Sequence, residues 1–445
     1  MRLFYNICYI IAVIFGLPVI LSGAMVSDKR RKTVFKRLGL ASVPERIRTS
    51  YFQRPAHPTI WVHALSVGEV LSAVSLIRKL KRRFHDKKII VSVSTKTGYE
   101  IAHQHLHDIA DCLFFFPYDL LFSVKYITRR IRPDLVLIVE SDIWPNFMAQ
   151  MKKQGVPVCW VNARMSDRSW RSYKRFPLIP KHLFSGFAKI FTQTDDDRCR
   201  LIDLGISAER LVTTGNMKFD QPVDSVDYEQ LTAVKQKFNI AGRRRIFMAG
   251  STHKGEEAIL SEAFSALKQM IPDLLLIVVP RNPERFQSVY RLFESKGFST
   301  VLWTKPARAS SSDDPPADVL VVDTMGELRR LYALADIAFI GGSLMPFGGH
   351  NPLEPASFSK PVLFGPYMND FALMSKLLLD SGGAICVKDA REISRTIADL
   401  VSDDKKRRQT GENARKVFCA NQGAVERTMS AVESALTINS FESGI

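Results

Sequence analysis

Short runs that are apolar on both faces recur along this chain, separated by stretches with helical period. TIWVHAL (59–65), KKIIVSVST (87–95), DCLFFFP (111–117), PDLVLIVE (133–140), VPVCWVNAR (156–164) and AKIFTQT (188–194) predict buried strands. Strands lose their polar alternation when helices cover both sides of a parallel sheet. Between them lie segments such as VLSAVSLIRKLKRRF (70–84), whose apolar residues share one helical face. This β-α alternation implies an open parallel sheet. It pauses at GNMKFDQPVDSVDYEQ (215–230), a polar stretch with no apolar period, and restarts with RRIFMAGST (244–252), DLLLIVVPR (273–281), DVLVVDT (318–324), DIAFIGGS (336–343) and PVLFGP (361–366). ARASSSDDPPAD (307–318) is loop by composition, and residues 404–436 predict terminal helices. The expected fold class is α/β, with two doubly wound Rossmann-like domains facing a cleft. The expected boundaries are 29–216 and 233–445, with a linker at 217–232. In such sheets ligands sit beyond the carboxyl ends of the strands.

The N-terminus adds a separate element. ICYIIAVIFGLPVILSGAMV (7–26) carries no charge and is long enough to cross a bilayer. SDKRRKTVFKR follows, with six basic residues and one acidic. The positive-inside bias then places everything after it in the cytoplasm, with residues 1–28 as a single-pass anchor. Two alternatives stay open: a cleaved signal peptide, for which Arg2 and LSGA give some basis, and a dip into one leaflet broken at Pro18. The formal net charge of +17 calls for an acidic partner: nucleic acid, an anionic membrane or a phosphorylated substrate. Basic stretches at 36–48, 78–88 and 167–175 lie in the anchored half, which makes lipid phosphates more economical partners than nucleic acid. The six cysteines lack CxxC spacing, which argues against a zinc site or a disulfide framework and fits a reducing compartment.

Candidate chemistry lies at the predicted strand ends. In the second half these are GSTHKGEE (250–257), PRNPERF (280–286), DTMGELRRLY (323–332) and GGSLMPFGGHNPLEPA (341–356). Glycines and helix starts at four consecutive strand ends predict a nucleotide site. GxxxxGK[ST] is absent, as is GxGxxG after a strand, so P-loop and Rossmann dehydrogenase readings lose their main support. In FGGHNPLEPA the glycines allow close backbone approach to an anion, and Pro352 sits just inside a helix whose start attracts phosphate. Glu354 is placed to reach hydroxyls beside it, although an ordinary capped helix would read the same way. In the first half Glu69, in SVGEV, opens a helix after a strand: a candidate general base, or a glutamate serving the helix dipole. Glu140 ends a wholly apolar strand and needs a partner. Asp195 and Asp197 form a DxD that reads as an acidic helix cap rather than a metal site, and His103 and His107 read as one solvated helix face.

SVGEV, VESDIWPN, GNMKFD, PRNPERF, DTMGEL and FGGHNPLEPA, in this order behind an apolar segment, resemble the 3-deoxy-D-manno-octulosonic acid (Kdo) transferases of lipopolysaccharide synthesis. The resemblance covers essentially the whole chain. It implies a GT-B fold, CMP-Kdo as donor bound by the second domain, and the lipid A precursor as acceptor bound by the first. It also implies action at the cytoplasmic face of the inner membrane. Glu69 then corresponds to the general base, and Glu140 and Lys218 to the residues that stabilise the transition state. Pro280, Arg281, Met325, Gly326, Glu327, Asn351, Pro352, Leu353 and Glu354 correspond to the CMP-binding residues. Asp142 is a mild departure, standing where the family often has glutamate. The donor carries one phosphate, so no cofactor and no divalent metal is expected. A nucleotide-binding module tethered to a membrane, or a nucleotide-sugar epimerase of the same two-domain fold, is the alternative.

Overall fold

The structure, a computed structural model, describes residues 5–7, 9, 11, 37–38, 58–140, 143–176, 178–220, 228–238, 240, 245–305 and 317–442. The expected anchor at 7–26 therefore lies outside the described residues apart from Ile7, Tyr9 and Ile11, and so does Asp142. Among the described residues no helix is long and apolar enough to cross a membrane.

The chain divides into two compact units. The first comprises residues 1–222 and 421–445, and the second residues 223–420. The first holds strands β1 (Thr59–Ala64), β2 (Lys88–Val93), β3 (Cys112–Phe115), β4 (Leu135–Val139), β5 (Val158–Ala163), β6 (Lys189–Thr192) and β7 (Leu211–Thr213). They pair in the order β3-β2-β1-β4-β5-β6-β7, all parallel. Successive residues explain the unbroken apolar runs. Leu135, Leu137 and Val139 pack on the face covered by helix Val67–Arg83, while Val136 and Ile138 face Phe147 and Trp160 on the other side. Both faces are buried, so neither set can be polar.

The second unit repeats the plan with β8 (Ile246–Thr252), β9 (Leu275–Pro280), β10 (Thr300–Leu302), β11 (Val319–Val321), β12 (Ile337–Ile340), β13 (Val362–Phe364) and β14 (Ala384–Cys386). Their order is β10-β11-β9-β8-β12-β13-β14, again parallel. Every predicted strand is present. β7, β10 and β14 were not predicted. Each is an edge strand only partly buried, whereas the equally short β11 and β13 lie inside the sheet, are wholly buried and show as apolar runs.

Two boundaries differ from expectation. The terminal helices do not stay together: Asp404–Ala420 belongs to the second unit, and Ala424–Glu442 returns to the first. Apolar residues drive the return, because Ala424, Val425, Met429 and Val432 are buried in the core beside Val70, Ala73 and Met217. The start of the expected linker, Met217–Asp220, is a 3-10 turn of the first unit with Met217 and Phe219 buried.

The described N-terminal residues are also tied to the first unit. Tyr5 Oη donates to Asp119 Oδ2 at 2.9 Å, and Asn6 and Asn146 exchange amide hydrogen bonds of 2.7 and 3.2 Å. Asp119 is fully buried and also accepts the N–H groups of Asn146 (2.9 Å) and Phe147 (2.8 Å), satisfying the start of helix Pro145–Lys153. Arg37 Nε donates to the carbonyl of Phe116 at 3.0 Å, and its guanidinium lies 4.2 Å from the Tyr118 ring centre. Substituting Asp119 by Ala should therefore destabilise the protein by roughly 2–4 kcal/mol, with the Tyr5→Phe loss near 1 kcal/mol. Urea unfolding followed by tryptophan fluorescence reads both, and an unchanged Asp119→Ala midpoint would contradict this clamp.

Candidate functional site

In the first unit the connections leave β1 and β4 in opposite directions across the sheet. Their carboxyl ends form the switch point where open α/β sheets bind ligands. Glu69 and Glu140 stand there. Glu69 is the third residue of helix Val67–Arg83, whose N-cap Ser66 makes no side-chain cap bond. Glu69 folds back out of the helix instead: Oε2 accepts the N–H of Leu65, ahead of the N-cap, at 2.5 Å, and the residue is only 4% exposed. That bond holds the carboxylate just beyond the end of β1.

Glu140 follows β4 with φ of +60°, a left-handed conformation that costs a non-glycine residue roughly 1–3 kcal/mol. The backbone is held there by two bonds. Its N–H donates to Val161 O at 2.9 Å, and the Trp160 indole donates to its carbonyl. The bend aims the carboxylate at Lys218, whose Nζ is 3.1 Å from Oε1, and at Asn162, whose Nδ2 is also 3.1 Å away. Both members of the ion pair are largely buried, with side chains 17% and 16% exposed. Asn162 Oδ1 in turn accepts the N–H of Met217 (3.0 Å), and Asn216 donates to Gln193, which donates to Asn162 O. Ser72 Oγ lies 2.8 Å from the carbonyl of Glu69 and 3.4 Å from Oε1 of Glu140. The Ser72 hydroxyl thus bridges the Glu69 carbonyl, one turn back on its own helix, to the carboxylate that pairs with Lys218. Asn162, Gln193 and Ser72 were not picked out from the sequence.

The second unit has its own switch point, between β8 and β12. The four strand ends singled out from the sequence belong to β8, β9, β11 and β12, which stand side by side as β11-β9-β8-β12. Gly348 and Gly349, at φ of +91° and +77°, turn the loop in a conformation closed to side chains with a Cβ. The helix after them, Leu353–Ser357, has five residues, with Pro352 as its N-cap. Its dipole is correspondingly small, so the helix start offers little of the phosphate attraction expected of it. Asn351 Oδ1 accepts the N–H of Leu353 at 3.1 Å, and its Nδ2 is 3.5 Å from Glu354 Oε1. Burial pushes the Glu354 carboxyl up, while Arg329, Asn351 and Arg281 pull it down. Arg281 is exposed at the end of β9, and its charge is felt at Glu354, His253 and His350. Pro280, Pro352 and Leu353 are buried framework, Met325 is exposed, Gly326 turns at φ of +91°, and Glu327 pairs with Arg330.

Sequence reading missed the supports of this loop. Glu256 is fully buried and accepts N–H groups from His253 (2.8 Å), Gly342 (2.7 Å), Ser343 (2.9 Å) and Leu344 (2.9 Å). Burial raises its carboxyl, and these four donors counter that. Glu257 takes a two-pronged bond from Arg285 at 2.6 and 3.0 Å. His253 and His350 meet Nε2 to Nε2 at 2.8 Å. Burial lowers both, His350 to about 4, so one neutral ring donates and the other accepts. The pair of glutamates opening a helix after THKG was the available signal.

The weaker motifs resolve into structure. Asp195 accepts from the Thr213 hydroxyl (2.6 Å), and Asp197 from Met165 N (2.8 Å) and the Thr194 hydroxyl (2.6 Å), at the start of helix Asp195–Asp203. Among the described residues no group of three or more His, Cys, Asp and Glu is arranged to hold a metal. His103 and His107 are exposed and stacked on their helix. In the basic run 78–88, Lys79, Lys81 and Arg83 pair with Glu426, Asp111 and Glu433. Arg83 is also about 20 Å along the helix from Glu69. Helix Asp167–Lys174 follows β5, at the same sheet edge as Glu69, and leaves Arg168, Arg171 and Arg175 exposed.

Residues 32–221 match the family model described as 3-deoxy-D-manno-octulosonic-acid transferase (kdotransferase). The 3-deoxy-D-manno-octulosonic acid transferase of Haemophilus influenzae is 31% identical over 388 residues, covering 86% of this chain and 89% of that one. Among solved structures, a glycosyltransferase from Rickettsia africae superposes with a TM-score of 0.55 at 13% identity, covering 86% of this chain and 99% of its own. The UDP-GlcNAc 2-epimerase from Neisseria meningitidis gives 0.53 at 14%, covering 84% and 100%. These two likenesses show the two-domain α/β fold alone, and a transferase and an epimerase share it, so the fold does not choose the chemistry. The sequence does: matched along most of its length to the Haemophilus influenzae protein, this chain belongs to the 3-deoxy-D-manno-octulosonic acid transferase family.

Proposed function

We propose that the protein transfers Kdo from CMP-Kdo to a hydroxyl of the lipid A precursor, lipid IVA, by a single inverting displacement. Glu69 takes the proton of the acceptor hydroxyl as its oxygen attacks the anomeric carbon. The bond from that carbon to the phosphate oxygen breaks, and CMP leaves with the electron pair. The observation that carries this reading is the buried ion pair of Glu140 with Lys218 at the switch point of the first sheet, where helix Val67–Arg83 also opens with Glu69. In this reading the ion pair supplies the reaction with a fixed cation. An ammonium has three N–H donors, so Lys218 can stay paired with Glu140 and still meet negative charge on the acidic sugar as the donor bond loosens.

In the second unit the Gly348–Gly349 loop and Arg281 take the single phosphate. Glu354 takes the ribose hydroxyls, with Asn351, Met325, Gly326 and Glu327 around the nucleotide and Pro280, Pro352 and Leu353 shaping its walls. A leaving group with one phosphate needs no divalent ion to bridge two, and none is assigned. Residues 7–26 anchor the protein in the inner membrane with both units on the cytoplasmic side. Arg168, Arg171 and Arg175 meet the phosphates of the acceptor and the anionic membrane surface, and no nucleic acid is involved.

Three outcomes are expected. Glu69→Gln should lose on the order of 10²–10⁴ in transfer rate while CMP-Kdo still binds in calorimetry. Near-normal turnover would remove Glu69 from the role. Activity in detergent should survive excess EDTA, and a loss restored by magnesium would refute the metal-free reading. Reversing the charge of Arg168 and Arg171 together should raise the acceptor KM, most at low salt, and leave the donor KM alone. Unchanged acceptor kinetics would move acceptor binding elsewhere.

A further inference from the structure

Asp220 stands two residues after Lys218, at the end of the turn Met217–Asp220. Its Oδ1 accepts the N–H of Gly423 at 2.7 Å and its Oδ2 that of Val425 at 2.5 Å. Gly423 and Val425 open helix Ala424–Glu442, the segment with which the chain re-enters the first unit. The backbone oxygen of Asp220 accepts from Ser75 Oγ at 2.9 Å, on the helix that carries Glu69. Just ahead of the turn, Thr214 O accepts from Arg427 Nε at 2.7 Å. One carboxylate thus joins the turn that bears Lys218 to a helix more than 200 residues later.

A 3-10 turn of four residues has little stability of its own. Its upstream side is fixed by Met217 N on Asn162 and Lys218 N on Asn216, each 3.0 Å. The downstream side is fixed by Asp220. Rotation of the turn would swing the flexible lysine stem, and Nζ would leave Oε1 of Glu140. We infer that Asp220 is a positioning residue for transfer. By clasping the first turn of the C-terminal helix, it holds Lys218 against Glu140. This rests on the proposed role of Lys218 and adds to it a part of the chain that the site motifs do not contain.

The test is a double-mutant cycle on the full-length chain in detergent, with Asp220→Asn, Lys218→Ala and the pair, reading kcat, donor KM and thermal unfolding. Asparagine keeps the size of the side chain but offers one acceptor where two N–H groups point. On its own, Asp220→Asn should lower kcat by on the order of tenfold or more, as a misplacement near 1 Å can, with the donor KM little changed. In the Lys218→Ala background it should do little further. An equal fold-loss in both backgrounds would mean a general structural role and overturn the inference, as would full kcat in Asp220→Asn. If Lys218→Ala alone keeps full activity, the proposed role of Lys218 fails and this inference falls with it, a result separable from the first two. Val425→Pro removes one donor from the helix side, in a first turn where proline is tolerated. It should show the same dependence on Lys218, and it carries the cycle if Asp220→Asn does not fold. A Val425→Pro loss independent of Lys218 would likewise overturn the clasp.

Discussion

A carboxylate at the end of an apolar strand cannot stay charged without a partner, and the first unit is arranged around supplying one to Glu140. The cost of withdrawing a charge from water is several kcal/mol per ion, offset only when geometry and further hydrogen bonds are good. Here Lys218 and Asn162 provide both. The strained backbone of Glu140 at φ +60° exists to make that geometry, and Trp160 and Val161 hold it. Replacing the pair by apolar groups would be simpler for folding. In the proposed reaction the pair supplies a fixed cation at the carboxyl ends of β1 and β4.

The rest of the first unit follows from that constraint. Lys218 comes from a turn too short to orient itself, so Asn162, Asn216 and Asp220 orient it. Asp220 needs donors and takes them from the C-terminal helix, whose apolar residues share the core with the helix that bears Glu69. The second unit applies the same device in another form. A buried carboxylate, Glu256, gathers four N–H groups and so shapes the loop after β12 rather than contacting a ligand itself. In both units a buried acid organises backbone at the switch point of a parallel sheet.

How much of this was legible in the sequence follows from range. Strands such as LVLIV and IFMAGST declared themselves, because burial on both faces leaves an unbroken apolar run. The four strand ends could be read one by one, and they stand together because the sheet is parallel and β12 crosses back to pair with β8. The partly buried edge strands β7, β10 and β14 left no such trace. The return of residues 424–442 to the first unit was hidden because amphipathic period shows that a helix buries a face, not which core receives it. Glu69, Glu140 and Lys218 could be singled out one by one. Their connection through Ser72, Asn162 and Asp220 depends on contacts across 22 to 205 residues, which no local pattern encodes. The run RKLKRRF pointed to an acidic partner, and the partners of Lys79 and Arg83 turn out to be glutamates of this same chain.

The central claim is that Glu140 and Lys218 act as one unit in transfer. The most direct test is the coupling between Glu140→Gln and Lys218→Met in kcat/KM for Kdo transfer to solubilised acceptor. Groups that work together lose nearly as much singly as jointly. The account predicts that the double variant is scarcely slower than either single one. Losses that multiply, each substitution costing the same with or without the other, would contradict it.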